Sequence, residues 1–391
     1  MNARFDIAII GGGLSGLSLA VRLADLPPRR VLVIEPRDAY RRDRTWCSWR
    51  LADHPFGEAV AARWPSWDVI RSAGDGERLV ARQTAPEIPY EMIPADRLYR
   101  LAEARLAAAG TELRRGTRVD EVEEREDCVL LRAGGETVAA DLVFDSRPPP
   151  AEPGDLLQRF LGQEVETDRD VFEPGRATLM DFAVPQQPGV VHFLYVLPSS
   201  ARAALVEDTW FARGDVELPD YREAIRRYLA ERFGVERFAV GFEEEGAIPM
   251  TPRLKPGAPG RRVIPIGTAG GAVKPSSGYA FFAIQRMADA LAEAVAAGRR
   301  PEPFEPRGAR ARWMDEVFLT AIEAAPEEAG TIFHSLFERC PPAPLIRFLN
   351  DVGSLADAAL VVAATPKLPL IAAALSRVRP PPPEPLSRRP R

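Results

Sequence analysis

The chain has 391 residues, enough for two packed lobes, and 46% of them are hydrophobic against 27% charged, the balance of an ordinary folded protein and not of a disordered one. Its 51 basic and 56 acidic residues leave a net charge of −5, which argues against a general nucleic-acid binder. Cys47, Cys128 and Cys340 lie far apart and read as free thiols of a reducing cytosol. His54, His192 and His334 have no clustered partners, so no metal site is expected.

Residues 1–4 run straight into a strand, so no leader peptide is expected. No apolar run reaches the roughly 20 residues of a membrane-spanning helix. Residues 5–10, Phe-Asp-Ile-Ala-Ile-Ile, read as a buried parallel strand. A glycine turn over 11–16 leads into a helix over 17–26, stopped by Pro27 and Pro28. A second strand over 31–34 ends in Glu35. The Arg-, Trp- and Pro-rich stretch 37–94 is expected to lie partly over the ligand of that turn. A helix over 94–109 follows, then a meander over 111–147 whose last strand, 140–145, returns to the first sheet. Alternation over 177–182, 190–197 and 203–207 predicts antiparallel strands of a substrate-facing lobe. A strand over 263–266, a second glycine turn and a helix over 279–297 rejoin the first lobe.

The expected fold class is therefore α/β. A discontinuous Rossmann-like domain (1–147 and 251–300) is joined to an antiparallel-sheet domain (148–250) and a helical C-terminal region (301–379). Residues 380–391 form a Pro/Arg tail expected to be disordered.

Gly11-Gly12-Gly13-Leu14-Ser15-Gly16 is a G-x-G-x-x-G turn between strand and helix. Gly11 permits the turn, Gly13 admits a pyrophosphate to the backbone, and Gly16 lets the helix pack closely; the helix start offers N–H groups and a positive dipole end. Glu35 suits a ribose hydroxyl pair. This fingerprint alone fits FAD or NAD. Farther on, Ile266-Gly267-Thr268-Ala269-Gly270-Gly271 and Lys274-Pro275-Ser276-Ser277-Gly278-Tyr279 form a second strand, glycine turn and helix start. That arrangement suits a flavin's ribityl chain and ring, although Thr268 stands where Asp is usual.

Several stretches in order carry a resemblance: Arg44-Thr45-Trp46-Cys47-Ser48-Trp49, Phe144-Asp145-Ser146-Arg147-Pro148, Phe160-Leu161-Gly162-Gln163-Glu164, Leu179-Met180-Asp181-Phe182, Ala204-Leu205-Val206-Glu207-Asp208-Thr209, Glu245-Gly246-Ala247-Ile248-Pro249-Met250 and Lys274 to Phe281. The chain resembles the lycopene cyclases, within the FAD-containing hydroxylase-like folds, over residues 6 to about 375. The resemblance implies an intramolecular lyase, of the isomerase class, that closes the ψ-ends of lycopene into β-rings without net oxidation, giving β-carotene through γ-carotene. It implies reduced FAD as cofactor, with NAD(P)H as the expected reductant, and adds Arg44, Thr45, Trp46 and Asp145 to the cofactor residues.

It also marks Glu207 as the acid. Leu205, Val206, Trp210 and Phe211 would keep that carboxyl desolvated and protonated. Read without the family, Glu207 and Asp208 fit a solvated strand-end pair equally well. Asp208 is expected to support the acid and Glu245 to accept the proton, with Trp46, Trp49 and Trp210 as cation–π candidates. Lycopene and related acyclic carotenoids as substrates imply peripheral contact with the cytoplasmic face of a membrane, through 345–349, 356–364 and 368–375, with other carotenoid-pathway enzymes as possible partners. A flavin monooxygenase or reductase acting on an isoprenoid, and a FAD-binding carotenoid carrier, remain as alternatives.

Overall fold

The computed structural model describes residues 4–74, 76–150, 152, 154–251 and 260–378; the 380–391 tail lies outside them. The strand Arg4–Ile10 pairs in parallel with Val31–Ile34 on one side and Glu136–Asp145 on the other. Its apolar run is buried, as a central parallel strand requires. The sheet continues through Glu112–Arg114 at one edge and the antiparallel strands Val129–Ala133 and Val119–Glu124 at the other. Val263–Pro265 also pairs with Glu136–Asp145. The first helix, Leu14–Ala24, starts earlier than the sequence suggests, because Gly16 is already helical. A Cβ there would lie 1.9 Å from the Gly11 carbonyl oxygen, so only glycine lets the helix begin so close to the strand.

The second sheet runs in the order Phe238–Pro249, Leu156–Thr167, Ala203–Arg213, Val191–Pro198, Arg176–Asp181, Ser66–Ser72, Arg78–Thr84. Its last two strands come from the 37–94 stretch that was expected to lie partly over the ligand of the first glycine turn. Ser66–Ser72 pairs in parallel with Arg176–Asp181. Alternation in Trp67 and Val69, both fully buried, marks a strand but does not say which sheet it joins. The rest of that stretch forms a small sheet of Thr45–Trp49, Tyr90–Pro94 and Ala62–Trp64.

The second sheet is covered on both faces. On one lies the helix Tyr221–Phe233, started by the Asp220 carboxylate accepting from the Arg222 N–H at 2.9 Å and packed through Ile225, Tyr228 and Leu229 on Leu161, Val165 and Val206. On the other, Phe193, Leu205 and Phe211 share a core with Trp49 and Tyr90 of the small sheet and with Leu319, Ile332 and Phe333 of the C-terminal helices. The site lies on this second face.

Candidate active site

The first glycine turn is built as a cradle. A Cβ at Gly13 would meet nothing within 4 Å, and no side chain caps the helix that starts at Leu14. The turn therefore presents open main chain in front of a helix N-terminus, which fits a pyrophosphate. Glu35 is buried behind it. One carboxylate oxygen accepts from the Gly12 N–H at 2.6 Å, and the other from the Arg37 N–H at 2.9 Å and Nε at 2.7 Å. Burial pushes this carboxyl up, but those bonds together hold it below its usual range. Tyr40 stacks on Tyr99 at 4.3 Å between ring centroids and donates to the Gly12 carbonyl, closing the flank.

The structure brings the second glycine turn against the first. A Cβ at Gly267 would lie 2.3 Å from the Ser15 hydroxyl, and the Ile266 N–H donates to the Asp145 carbonyl at 2.8 Å. A Cβ at Gly270 would crowd Ile266 and the Pro265 carbonyl. Thr268 uses its carbonyl to close the turn onto the Gly271 N–H. The following loop is locked by buried charges: Lys274 Nζ lies 2.8 Å from Asp315 and 2.5 Å from Asp351, Arg307 pairs with Asp351 at 2.9 Å, and Ser276 donates to Asp315 at 2.6 Å. Ser277 next to it keeps a buried hydroxyl without a partner, a donor that a ligand in the cleft can use. Gly278 packs against Gln158 and Ile248 of the second sheet, and the Tyr279 ring meets Trp49 at 5.1 Å. The cofactor side and the second sheet thus meet at this loop.

Beyond it is a chamber with an acidic floor. Tyr195, Glu207, Gly162 and Glu244 stand side by side across four strands. Trp49 and Cys47 from the small sheet, Tyr90 and Tyr279 close over them, with the Tyr195 hydroxyl donating to that of Tyr90 at 2.7 Å. Glu207 is deep within the protein yet keeps some accessible surface, as a group lining an internal chamber does. Burial, then the charges of Glu244 and Asp208, push its carboxyl up to about 8, against a hydrogen bond donated by Thr209 at 2.9 Å. Glu244 is buried and also raised by burial, but Thr45 and the nearby Arg42 and Arg44 counter this. The floor therefore offers a Glu207 that holds its proton up to about 8, next to a second buried carboxyl, Glu244, under a roof of aromatic rings.

Alternation separates the remaining candidates from this chamber. Asp208 is fully buried on the opposite face of its strand, 2.5 Å from His192 Nε2 and accepting from Trp210 Nε1 at 3.0 Å. His192 stacks on Trp210 and reaches the Pro185 carbonyl at 2.8 Å. Asp208 and Trp210 thus sit under the helix side of the sheet and do not face the ligand. Glu245 is exposed on that side too, opposite Leu161, while its neighbour Glu244 points into the chamber. Trp46 lies on the outer side of the small sheet against Tyr99, Arg44 is exposed beside Asp43, and Asp145 pairs with Arg147 at 2.6 Å. Tyr90, Tyr195, Gly162, Cys47 and Glu244 were missed. In the run Glu243-Glu244-Glu245 nothing in the sequence fixes which carboxylate lies opposite Gly162.

The profile of the lycopene cyclase protein family matches residues 6–375. A lycopene beta-cyclase of Pseudescherichia vulneris is 30% identical, the alignment covering 93% of this chain and 95% of that one, and one of Paracoccus sp. is 28% identical with the same coverage. Among solved structures, a geranylgeranyl bacteriochlorophyll reductase-like protein of Thermoplasma acidophilum superposes with a TM-score of 0.63 at 12% identity, over 95% of this chain and 99% of that one. A flavoprotein/dehydrogenase of Cytophaga hutchinsonii gives 0.59 at 14% identity, over 96% and 99%. The rebeccamycin biosynthetic enzyme RebC with reduced flavin gives 0.57 at 19% identity, over 96% and 75%. These superpositions speak for the fold; the full-length match of sequence goes further, and the chain belongs to the lycopene cyclase family.

Proposed function

We propose that this chain is a lycopene β-cyclase that binds FAD between its two glycine turns and closes the ψ-ends of lycopene on the carboxyl of Glu207. The observation that carries the reading is Glu207 itself: a carboxyl raised to about 8, beside Tyr195 in the floor of a chamber roofed by Trp49, Tyr90 and Tyr279, next to the loop that meets the cofactor side. Such a group is protonated at neutral pH and can act as a general acid where an ordinary carboxylate cannot.

Gly11, Gly13, Leu14, Ser15 and Gly16 would hold the pyrophosphate and Glu35 the ribose. Gly267, Gly270, Gly271, Ser277, Gly278 and Tyr279 would face the rest of the cofactor, with Arg44, Thr45 and Asp145 near the cleft. Reduced FAD, when bound, supplies an electron-rich ring that stabilises positive charge nearby without passing electrons to product. Glu207 donates its proton to the terminal double bond of a ψ-end. The neighbouring alkene closes on the tertiary cation, the aromatic roof stabilises the charge, and the Glu207 carboxylate recovers a proton from the ring, leaving the β-ionone double bond. A second round at the other end gives β-carotene through γ-carotene. NAD(P)H is the expected reductant of the flavin.

The substrate is a long hydrocarbon, and the C-terminal helices offer it a route. Leu355, Leu360, Val362, Leu368, Ile371 and Leu375 are exposed on Leu355–Ala364 and Lys367–Val378, which meet at a 118° bend; among the described residues no single helix is long and apolar enough to cross a membrane. We assign this apolar face to peripheral contact with the cytoplasmic leaflet. The segment 345–349 has no part in it, because Leu345 and Ile346 are fully buried in the core.

In lycopene-accumulating bacteria, the parent chain should yield β-carotene and Glu207→Gln should leave lycopene, with both proteins folded and flavin-loaded. Oxygenated or reduced pigment from the parent would point to a monooxygenase or reductase, and tightly bound, unchanged lycopene to a carrier.

A further inference from the structure

The acid has a partner that its own chemistry does not require. Register places Glu207 opposite Gly162, and Gly162 opposite Glu244, so two carboxylates flank the one position in the row without a side chain. A Cβ at Gly162 would lie 3.6 Å from a Glu207 carboxylate oxygen, 3.4 Å from Glu244 Cγ and 3.2 Å from Leu205. A larger residue would stand between the two acids; glycine leaves them in each other's field.

The groups around the pair are unevenly divided. Towards Glu207 stand Tyr195 on the adjacent strand, Thr209 on its own, Cys47 of the small sheet, and Asp208 behind the sheet, none of them a cation. Towards Glu244 stand Thr45, Arg42 and Arg44, which work against the effect of burial on it, Arg42 also pairing with Glu164 at 2.5 Å and Arg44 with Asp43 at 3.4 Å. Two carboxylates this close resist being charged together, and the arginines favour the charge on Glu244.

We propose that Glu244 is a positioning residue that keeps the working proton on Glu207. With Arg42 and Arg44 on its side, Glu244 is the better placed of the two to carry a negative charge, which makes a second one across Gly162 costly, so the pair carries one proton and returns it to Glu207 after each ring closure. The proton lent to the alkene equals the proton recovered from the ring, so the pair ends each cycle as it began. This inference rests on the reading of Glu207 as the acid.

The test uses the full-length, FAD-loaded enzyme. In Glu244→Gln the neighbouring charge is gone, and the alkaline limb of kcat should move to lower pH by about one unit or more. Glu244→Asp keeps the charge and should restore the limb, whereas a merely structural role would lower activity without moving it. An unmoved limb in folded Glu244→Gln overturns the proposal. If that variant does not fold, infrared titration of Glu244→Ser against the parent gives the answer, with Glu207→Gln marking which carboxyl step belongs to Glu207. That step should lie at lower pH in Glu244→Ser than in the parent; the step in its parental place overturns the proposal. The spectrum reads coupling without turnover. A Glu207→Gln enzyme that still cyclised would sink the acid reading, and the titration would still decide on the coupling.

Discussion

Glu207 is stable in its position only while it holds a proton. In the unfolded chain its carboxyl ionises around its ordinary 4.5, and in the folded protein around 8, so between these values the folded state binds the extra proton and stability falls as pH rises. Glu207→Gln should therefore be neutral in stability below about pH 4.5. It should be more stable than the parent above pH 8, by up to about 5 kcal/mol, in urea titrations at the two pH values. Equal stability at both would show that the carboxyl is not desolvated. Activity should follow the same group and fall as pH passes through 8. The sequence singled out this residue as the proposed acid through the family pattern; its apolar neighbours alone fitted a solvated strand-end pair equally well. Its partner was not legible, because Glu243, Glu244 and Glu245 differ only in phase, and phase is set by a neighbouring strand far away in the chain.

At the scale of elements, both signals for the cofactor side were readable. The strand, turn and helix around Gly11–Gly16 and around Gly267–Tyr279 are local, and local chemistry dictates them. The small sheet was not readable, since its strands are short and joined by contacts the sequence does not announce. A single buried carboxylate ties that sheet to its surroundings. Glu91 accepts from Arg63 at 2.7 Å and Arg50 at 3.1 Å and lies 3.4 Å from His54. Burial pushes it up, but His54 and the two arginines outweigh this and hold it at about 2. Glu91→Gln takes the shared carboxylate from Arg63 and His54 and leaves Arg50 with Asp53 alone at 2.7 Å, so it should cost about 2–4 kcal/mol in thermal unfolding at pH 7. Because Glu91's folded pKa lies below its unfolded one, its contribution is present above about pH 4.5 and is lost as pH falls towards 2, so the gap between parent and variant should close in acid. A gap that persists there would place the damage in packing instead.

The whole molecule sets how substrate arrives. If the exposed leucines of the C-terminal helices meet lipid, Leu368→Glu combined with Leu375→Glu should lower binding to anionic vesicles on the order of tenfold or more. Turnover of detergent-solubilised lycopene should stay near that of the parent; unchanged vesicle binding would remove the membrane reading. Those helices are not an appendage. Asp315, on the helix Ala309–Ala324 that packs against Lys367–Val378, and Asp351, just before Leu355–Ala364, both reach Lys274 in the cofactor-side loop, so the face that would touch lipid is joined to the loop that would touch flavin through a buried ionic knot.

The parallel pairing of Ser66–Ser72 with Arg176–Asp181, and of Glu136–Asp145 with Val263–Pro265, means that each sheet is finished by chain from well outside its own stretch. During synthesis neither layer can close when its first strands leave the ribosome; the floor of the chamber awaits Phe238–Pro249, and the first sheet awaits the segment after it. Such long-range closure predicts slow, all-or-none folding. It follows that a single protease cut in either half should leave no stable fragment, and that cells making this enzyme must shield a nascent chain with two unfinished sheet edges until nearly its whole length has emerged.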